Sequence, residues 1–145
     1  MNWKQPKVYA VRHKDEATRA ASRSGGIFTA LSDQVLSNGG VVYGCVLTDE
    51  FDAVHIRADN EEDRNRMRGS KYIQSKLGDT FKSVRADLDA QKSVLFSGTS
   101  CQVSGLKKYL GKEYDNLFCV DIVCHGVPSK KVWNAYLRWQ EQKNH

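Results

Sequence analysis

Hydrophobic positions along this chain switch between a two-residue and a helical period, and the switches divide it into strands, turns and helices. From Ser93 to Ser129 the same cycle runs twice. Ser93 to Ser97 reads as a short buried strand and Gly98-Thr99-Ser100-Cys101-Gln102 as its turn. Val103 to Leu110 then reads as a helix with Val103, Leu106 and Leu110 on one face. Leu117 to Val123 is a second apolar strand and Cys124-His125-Gly126-Val127-Pro128-Ser129 its turn. Lys130 to Gln142 is a second helix, which Ser129 is placed to cap. This succession predicts parallel βαβ units with both cysteine-bearing turns at one edge of the sheet. Ligands bind at the carboxyl edge of open α/β sheets, so Cys101 and Cys124 are expected to face one crevice.

Upstream, Lys7 to His13 alternates as a strand does, and Asp15 to Ala21 reads as a short helix before the loop Ser22-Arg23-Ser24-Gly25-Gly26. Ile27, Phe28, Leu31 and Val35 recur at helical spacing until Asn38-Gly39-Gly40 ends that helix. Gly40 to Thr48 and Ala53 to Ala58 read as strands joined by the turn Asp49 to Asp52, an antiparallel hairpin added to the parallel sheet. Asn60 to Met67 is a short charged helix, Arg68-Gly69-Ser70-Lys71 a basic turn, and Asp79 to Ala90 a helix carrying Phe81, Val84 and Leu88. The fold class expected is therefore α/β: a mixed, mainly parallel sheet flanked by helices, with an antiparallel hairpin.

At 145 residues the chain suits one α/β domain, residues 1–145, with a core of its own. No apolar run approaches a bilayer span and Met1 to Lys14 lacks the zones of a signal peptide, which predicts a cytoplasmic protein without a membrane span. The four cysteines, Cys45, Cys101, Cys119 and Cys124, lie in apolar strands or turns and read as reduced thiols or metal ligands. The net charge of +5 is densest at Arg64, Arg66, Arg68 and Lys71, which suits a phosphorylated cofactor, an acidic partner or merely a solvated face. A nucleic-acid role is not expected, since the basic residues form no helical stripe and no aromatic platform interleaves them. Trp133, Tyr136, Leu137 and Trp139 give the last helix an aromatic face that runs on to Asn144 and His145 without a stop signal. The expectation is a piece of a larger protein, its last helix packing in part against a portion not included here.

Three places carry candidate chemistry. Ser24-Gly25-Gly26 before a helix lets an anion approach the backbone at the positive helix end, or serves simply as cap and turn. Arg68 and Lys71, flanking Gly69 and Ser70, offer a fork and a point charge to phosphate oxygens. Cys101 lies near a helix N-terminus, where a thiolate is stabilised, so it is open to the roles of nucleophile, redox thiol or metal ligand. Cys124 beside His125 has similar options. Of possible Cys-His pairs only Cys101 with His125 can converge, because adjacent side chains point apart. Cys45 and Cys119 read as small core residues, and His55 is given no role.

Ser24-Gly25-Gly26-Ile27-Phe28, Arg68-Gly69-Ser70-Lys71-Tyr72, Phe96 to Val103 and Val120 to Ser129 together resemble, in order and spacing, the beta subunit family of coenzyme F(420) hydrogenases and dehydrogenases. That family comprises flavin-dependent, iron-sulfur oxidoreductases. The resemblance implies an FAD-binding domain whose cofactor contacts include Ser24, Gly25, Gly26, Arg68, Ser70 and Lys71. Gly98, Thr99, Gln102, His125 and Gly126 would line the flavin or a cluster. Cys101 and Cys124 are the implied catalytic residues and candidate metal ligands. Ser100 stands where the family's turn carries proline, which should loosen the turn without removing the thiol. An iron-sulfur cluster is implied for the parent protein; Cys101 and Cys124 alone leave it two ligands short here.

The function expected is an FAD-binding redox domain passing electrons between an iron-sulfur partner and a deazaflavin- or nicotinamide-type acceptor. Its partners would be an N-terminal ferredoxin-like module and C-terminal modules, or a redox partner protein, and the domain alone would be inactive. The competing expectation is a non-catalytic α/β interaction module with structural cysteines.

Overall fold

The computed structural model describes residues 5–143. Its elements are α1 (Glu16–Ser22), α2 (Ile27–Ser37), β1 (Val41–Leu47), β2 (Ala53–Ala58), α3 (Glu61–Arg66), α4 (Thr80–Asp89), β3 (Val94–Thr99), α5 (Ser100–Leu110), β4 (Leu117–Ile122) and α6 (Lys130–Lys143). The four strands form one sheet in the order β2-β1-β3-β4. Strands β1 and β2 pair antiparallel with Cys45 opposite His55, whereas β1 and β3 pair parallel with Tyr43 opposite Phe96. β3 and β4 pair parallel from Val94 opposite Leu117 to Thr99 opposite Ile122. The mixed, mainly parallel sheet with an antiparallel hairpin is thus the one the periodicity predicts.

Alternation along the central strands divides the core between the two sheet faces. Val41, Tyr43, Val94 and Phe96 pack with Val84 and Leu88 of α4 and with Val103, Leu106 and Leu110 of α5. Val42, Val46, Ala58 and Leu95 point the other way, against Val35 of α2 and Met67. Each fully buried aliphatic side chain contributes about 1.5–3 kcal/mol. Arg64 is buried too, only 1% exposed, and ties α3 to α2 by donating to Thr29 O (3.1 Å) and Ser32 Oγ (2.7 Å) and pairing with Asp33 (2.5 Å). On the opposite face Asp87 of α4 accepts from Tyr43 OH (2.6 Å) and Arg57 Nε (2.7 Å) and pairs with Lys92 (3.1 Å), fastening α4 to β1 and β2.

Three expectations are corrected. Residues 7–13 form no strand, with Val8 89% and Tyr9 71% exposed. Alternation makes a segment capable of pairing, but only a neighbouring strand can satisfy its backbone. Its backbone is instead held at His13, whose N donates to Gly25 O at 2.7 Å and whose O accepts from Arg19 Nη1 at 2.7 Å. Helix α5 begins at Ser100 rather than Val103, because Gln102 Oε1 accepts from Thr99 N (3.0 Å) in a capping box that recruits the turn into the helix. The densest basic group is not one solvated cluster, since Arg64 lies inside the fold.

Helix α6 buries none of its described residues within the domain; Trp139 is 51% exposed and Trp133 half-buried. Ser129 caps it, through Val132 N to Ser129 Oγ at 3.4 Å. Its start reaches the β1–β2 turn: Lys130 Nζ pairs with Asp52 (2.9 Å), which also holds Lys76 (2.6 Å), and Trp133 Nε1 donates to Phe51 O (3.0 Å). Met1 to Lys4, on which the reading of the first fourteen residues partly falls, and Asn144 and His145 beyond the last helix lie outside the described residues. Among the described residues no helix is long and apolar enough to cross a membrane.

Candidate functional site

Parallel pairing of β1, β3 and β4 brings their carboxyl ends to one edge, and four of the segments singled out above collect there. Helix α2 runs into β1 through a tight turn, so its own N-terminus, with residues 24–26, returns to that edge. The turn at 98–102 opens α5 there, and residues 123–129 leave β4 there and cross toward the β1–β2 turn, where Lys130 is held. Residues 68–75 join the two sides of the sheet. Arg68 Nε donates to Thr29 Oγ1 of α2 (3.1 Å) on one face, and Ser75 Oγ accepts from Gln102 Nε2 of α5 (2.8 Å) on the other.

The glycines at 25 and 26 are required by the chain itself. Gly26 has φ +77°, in the left-handed region, and a Cβ there would lie 2.8 Å from His13 Cβ; a Cβ on Gly25 would lie 3.1 Å from Val11 O. Residues 11–13 occupy the space in which the sequence pattern would admit an anion. Gly98 is likewise closed in by Phe96 and the Gln102 side chain, 2.9 and 3.1 Å from where its Cβ would stand.

The basic turn divides its labour. Lys71 Nζ donates to the carbonyls of Met67 (2.8 Å), Arg68 (3.0 Å) and Arg66 (3.2 Å), capping the C-terminal end of α3 with all three ammonium protons. It is therefore not a free point charge for phosphate, and burial pulls its pKa below the ordinary lysine value. Among the described residues the Arg68 side chain is hydrogen-bonded through Nε alone, to Thr29. A cavity of about 370 Å³ opens beside it, lined by Arg23, Arg66, Arg68, Gly69, Ser70 and Lys71 along with Ala21, Leu47 and Asn65. Among the described residues no acidic side chain lines it. Arg23 is not among the residues the sequence singles out; its place immediately before Ser24-Gly25-Gly26 is the signal that could have found it.

Cys101 is the second residue of α5 and exposed, with Sγ 3.1 Å from Thr99 Oγ1. Ser100 Oγ donates to Asp121 Oδ1 (2.9 Å), which locks the start of α5 to the end of β4 in place of the absent proline ring. Cys124 is exposed and accepts from Gly126 N (3.4 Å); His125 is exposed beside it, and Gly126 has φ +113°. Neither thiol is buried, contrary to what inert structural cysteines require. Cys45 and Cys119 are half-buried, and burial raises both thiol pKa values, opposed at Cys45 by nearby Lys71 and a hydrogen bond with Ser75, and at Cys119 by Lys107. His55, given no role from sequence, is buried, with Nε2 3.1 Å from Ser97 O and its ring stacked on Phe96; burial lowers its pKa.

Among the described residues no three of His, Cys, Asp or Glu gather as a metal site. Among these residues the four cysteines are not gathered into a ligand set for an iron-sulfur cluster. The acid-free cavity does fit a phosphorylated cofactor, because arginine forks and a Gly-Ser backbone are what phosphate oxygens bind.

Residues 8–82 match the family model for the N-terminal part of the coenzyme F420 hydrogenase/dehydrogenase beta subunit, and residues 91–145 match the model for the C-terminal part of the same protein. In three dimensions the chain is similar to one in the xenon-derivatized F420-reducing NiFe hydrogenase complex from Methanosarcina barkeri, with a TM-score of 0.67 and 21% sequence identity. The likeness covers 87% of this chain and 46% of that one, so this chain spans about half the length of its structural neighbour, and at this identity the likeness is one of fold. No curated protein matches.

Proposed function

The chain belongs to the coenzyme F420 hydrogenase/dehydrogenase beta subunit family, and we propose that it is the FAD-binding redox domain of such a protein. In this reading it passes electrons between an iron-sulfur partner and a deazaflavin- or nicotinamide-type acceptor. The observation that carries it is that the basic cavity, with no acidic residue in its described lining, and the two exposed cysteine turns lie toward the same carboxyl edge of the sheet.

FAD, when bound, supplies hydride and single-electron chemistry, and the protein supplies binding, orientation and electrostatics. Arg68, steadied by Thr29, and the Gly69-Ser70 backbone would hold the phosphates, while Ser24, Gly25 and Gly26, packed against residues 11–13, would act indirectly by placing the start of α2 beside them. The 98–102 turn and His125-Gly126 would border the ring end. Gln102 acts indirectly, since both ends of its amide are used within the protein. Lys71 also acts indirectly, by holding the shape of the 66–68 backbone. Cys101 and Cys124 are the thiols placed to meet the ring or a partner. Iron-sulfur chemistry belongs to a partner protein or to other modules of the parent, and the proposed location is the cytoplasm, where four reduced thiols persist.

Titrating FAD against the chain and following flavin fluorescence tests the reading. Saturable quenching that weakens in Arg68→Gln supports it, and absence of quenching at any FAD concentration contradicts it. The second reading, a non-catalytic interaction module, draws on exposed Tyr136 and Trp139 of α6 and predicts a chain that binds a partner but never flavin.

A further inference from the structure

His55 carries a polar atom that the fold leaves unmet. The residue is 9% exposed on β2, and its Nε2 stands 3.1 Å from Ser97 O. A carbonyl only accepts, so Nε2 carries the proton of a ring that burial keeps neutral, and Nδ1 is left as a lone-pair acceptor. Among the described residues nothing donates to Nδ1. A buried acceptor without a donor is costly to keep, and it points to a donor that arrives from outside.

The residue borders a cavity of about 340 Å³ between β2 and the start of α4, together with Val54, Leu77 and Tyr43. This cavity shares no lining residue with the basic cavity beside Arg68. The side-chain hydroxyls of its lining already donate within the protein: Tyr43 OH to Asp87 (2.6 Å), Ser83 Oγ to Asp79 O (3.4 Å) and Thr80 Oγ1 to Leu77 O. Its charges are matched as well. Arg57 pairs with Asp87 (2.7 Å) and Asp59 (2.8 Å), Lys76 with Asp52 (2.6 Å) and Asp79 with Lys82 (2.8 Å). An ion would have to break one of these pairs, whereas an uncharged molecule leaves them all in place. A lone water wants about two to four polar partners, and among the described side chains of the lining Nδ1 is the one left unmet. The remaining demand is one donor on a neutral, mostly apolar body. The volume lies near the lower end of small-ligand pockets, which suits a body about the size of one ring.

We propose that this cavity is a binding site for an uncharged, ring-sized molecule whose hydroxyl donates to His55 Nδ1. The site is separate from the basic cavity and stands whether or not the chain binds flavin.

NMR titration of the chain with phenol tests it, with anisole, which has the ring but no donor, and benzoate, which has the ring and a charge, as comparisons. Phenol should bind about 10-fold more tightly than either, the factor that one buried hydrogen bond supplies. It should also move upfield the nitrogen resonance of Nδ1, identified by its disappearance in His55→Gln. That variant can still donate to Ser97 O but brings no acceptor to the Nδ1 position, so it should lose the preference for phenol over anisole. Ser83→Leu, at an exposed position of α4 on the cavity, should weaken phenol binding by filling the space. Phenol that binds no tighter than anisole, or leaves the Nδ1 resonance in place, overturns the site, and benzoate as tight as phenol overturns the uncharged class. Should His55→Gln not fold, the phenol-to-anisole ratio of the unaltered chain and the Ser83→Leu titration decide.

Discussion

Gln102 Nε2 donates to Ser75 Oγ at 2.8 Å, across the carboxyl edge of the sheet, while Gln102 Oε1 accepts from the Thr99 amide at 3.0 Å. One side chain thereby starts helix α5 and ties it to the segment that descends from the basic turn. Removing it in Gln102→Ala takes away a cap and leaves Ser75 without its donor. The expected loss is about 1–2 kcal/mol of stability. Urea unfolding measures it, and an unchanged midpoint would show that the tie adds nothing to stability.

The glycine loop should fail by collision with its own chain. Gly26→Ala puts a Cβ against His13 at a residue whose φ is +77°, and Gly25→Val drives a branched side chain toward Val11 O. Each should cost about 1–3 kcal/mol, the range for strained backbone. A thermal melt checks this, and FAD affinity measured on the folded fraction then shows whether any cofactor effect is separate from displacement of residues 11–13.

The thiols should fall into two classes. Cys101 and Cys124 are exposed, whereas burial raises the pKa values of Cys45 and Cys119. Titration with a disulfide reagent at neutral pH should give a fast phase of two thiols and a slow phase of two, with Cys101→Ala removing half of the fast phase. Four slow thiols would favour the interaction-module reading. In the full-length parent, Cys101→Ala should impair electron transfer with cofactor content intact.

Much of this was legible in the sequence, and the misses have physical causes. The first strand-turn-helix cycle, carried by Val94, Phe96, Val103 and Leu106, folds in the order read because burial against the sheet enforces its period, whereas β4 and α6 of the second form in the order read without a buried residue among those described. The 7–13 segment has the same alternation as a strand but no partner, and pairing is a tertiary fact that periodicity does not contain. Arg64, read as part of a basic group suited to a phosphorylated cofactor, an acidic partner or a solvated face, is a buried clamp, and Lys71, read as a phosphate contact, is a helix cap, because long side chains can carry charge inward wherever carbonyls await it. Arg23 carries no motif of its own, and its place before Ser24-Gly25-Gly26 gains meaning once the cavity assembles.

Acid should loosen the clamp between α4 and the sheet. Burial alone would raise the Asp87 carboxyl, but hydrogen bonds from Arg57, Tyr43 and Lys92 outweigh it and hold the pKa down to about 2. A carboxylate depressed in the folded state stabilises above its unfolded pKa near 3.8, and that contribution is lost as pH falls from about 4 to about 2. With solvent screening of the partly exposed Arg57 and Lys92 allowed for, the loss amounts to about 1–2 kcal/mol. Unfolding followed at pH 5, 4, 3 and 2 should show it, and Asp87→Asn should flatten the dependence.

The central claim is that the flavin site lies within these residues. Its most direct test is the visible absorbance spectrum of the chain, purified without oxygen, mixed with FAD and desalted. A flavin band that stays with the protein, and is lost in Arg68→Gln, is the predicted result. A colourless protein after desalting would contradict it.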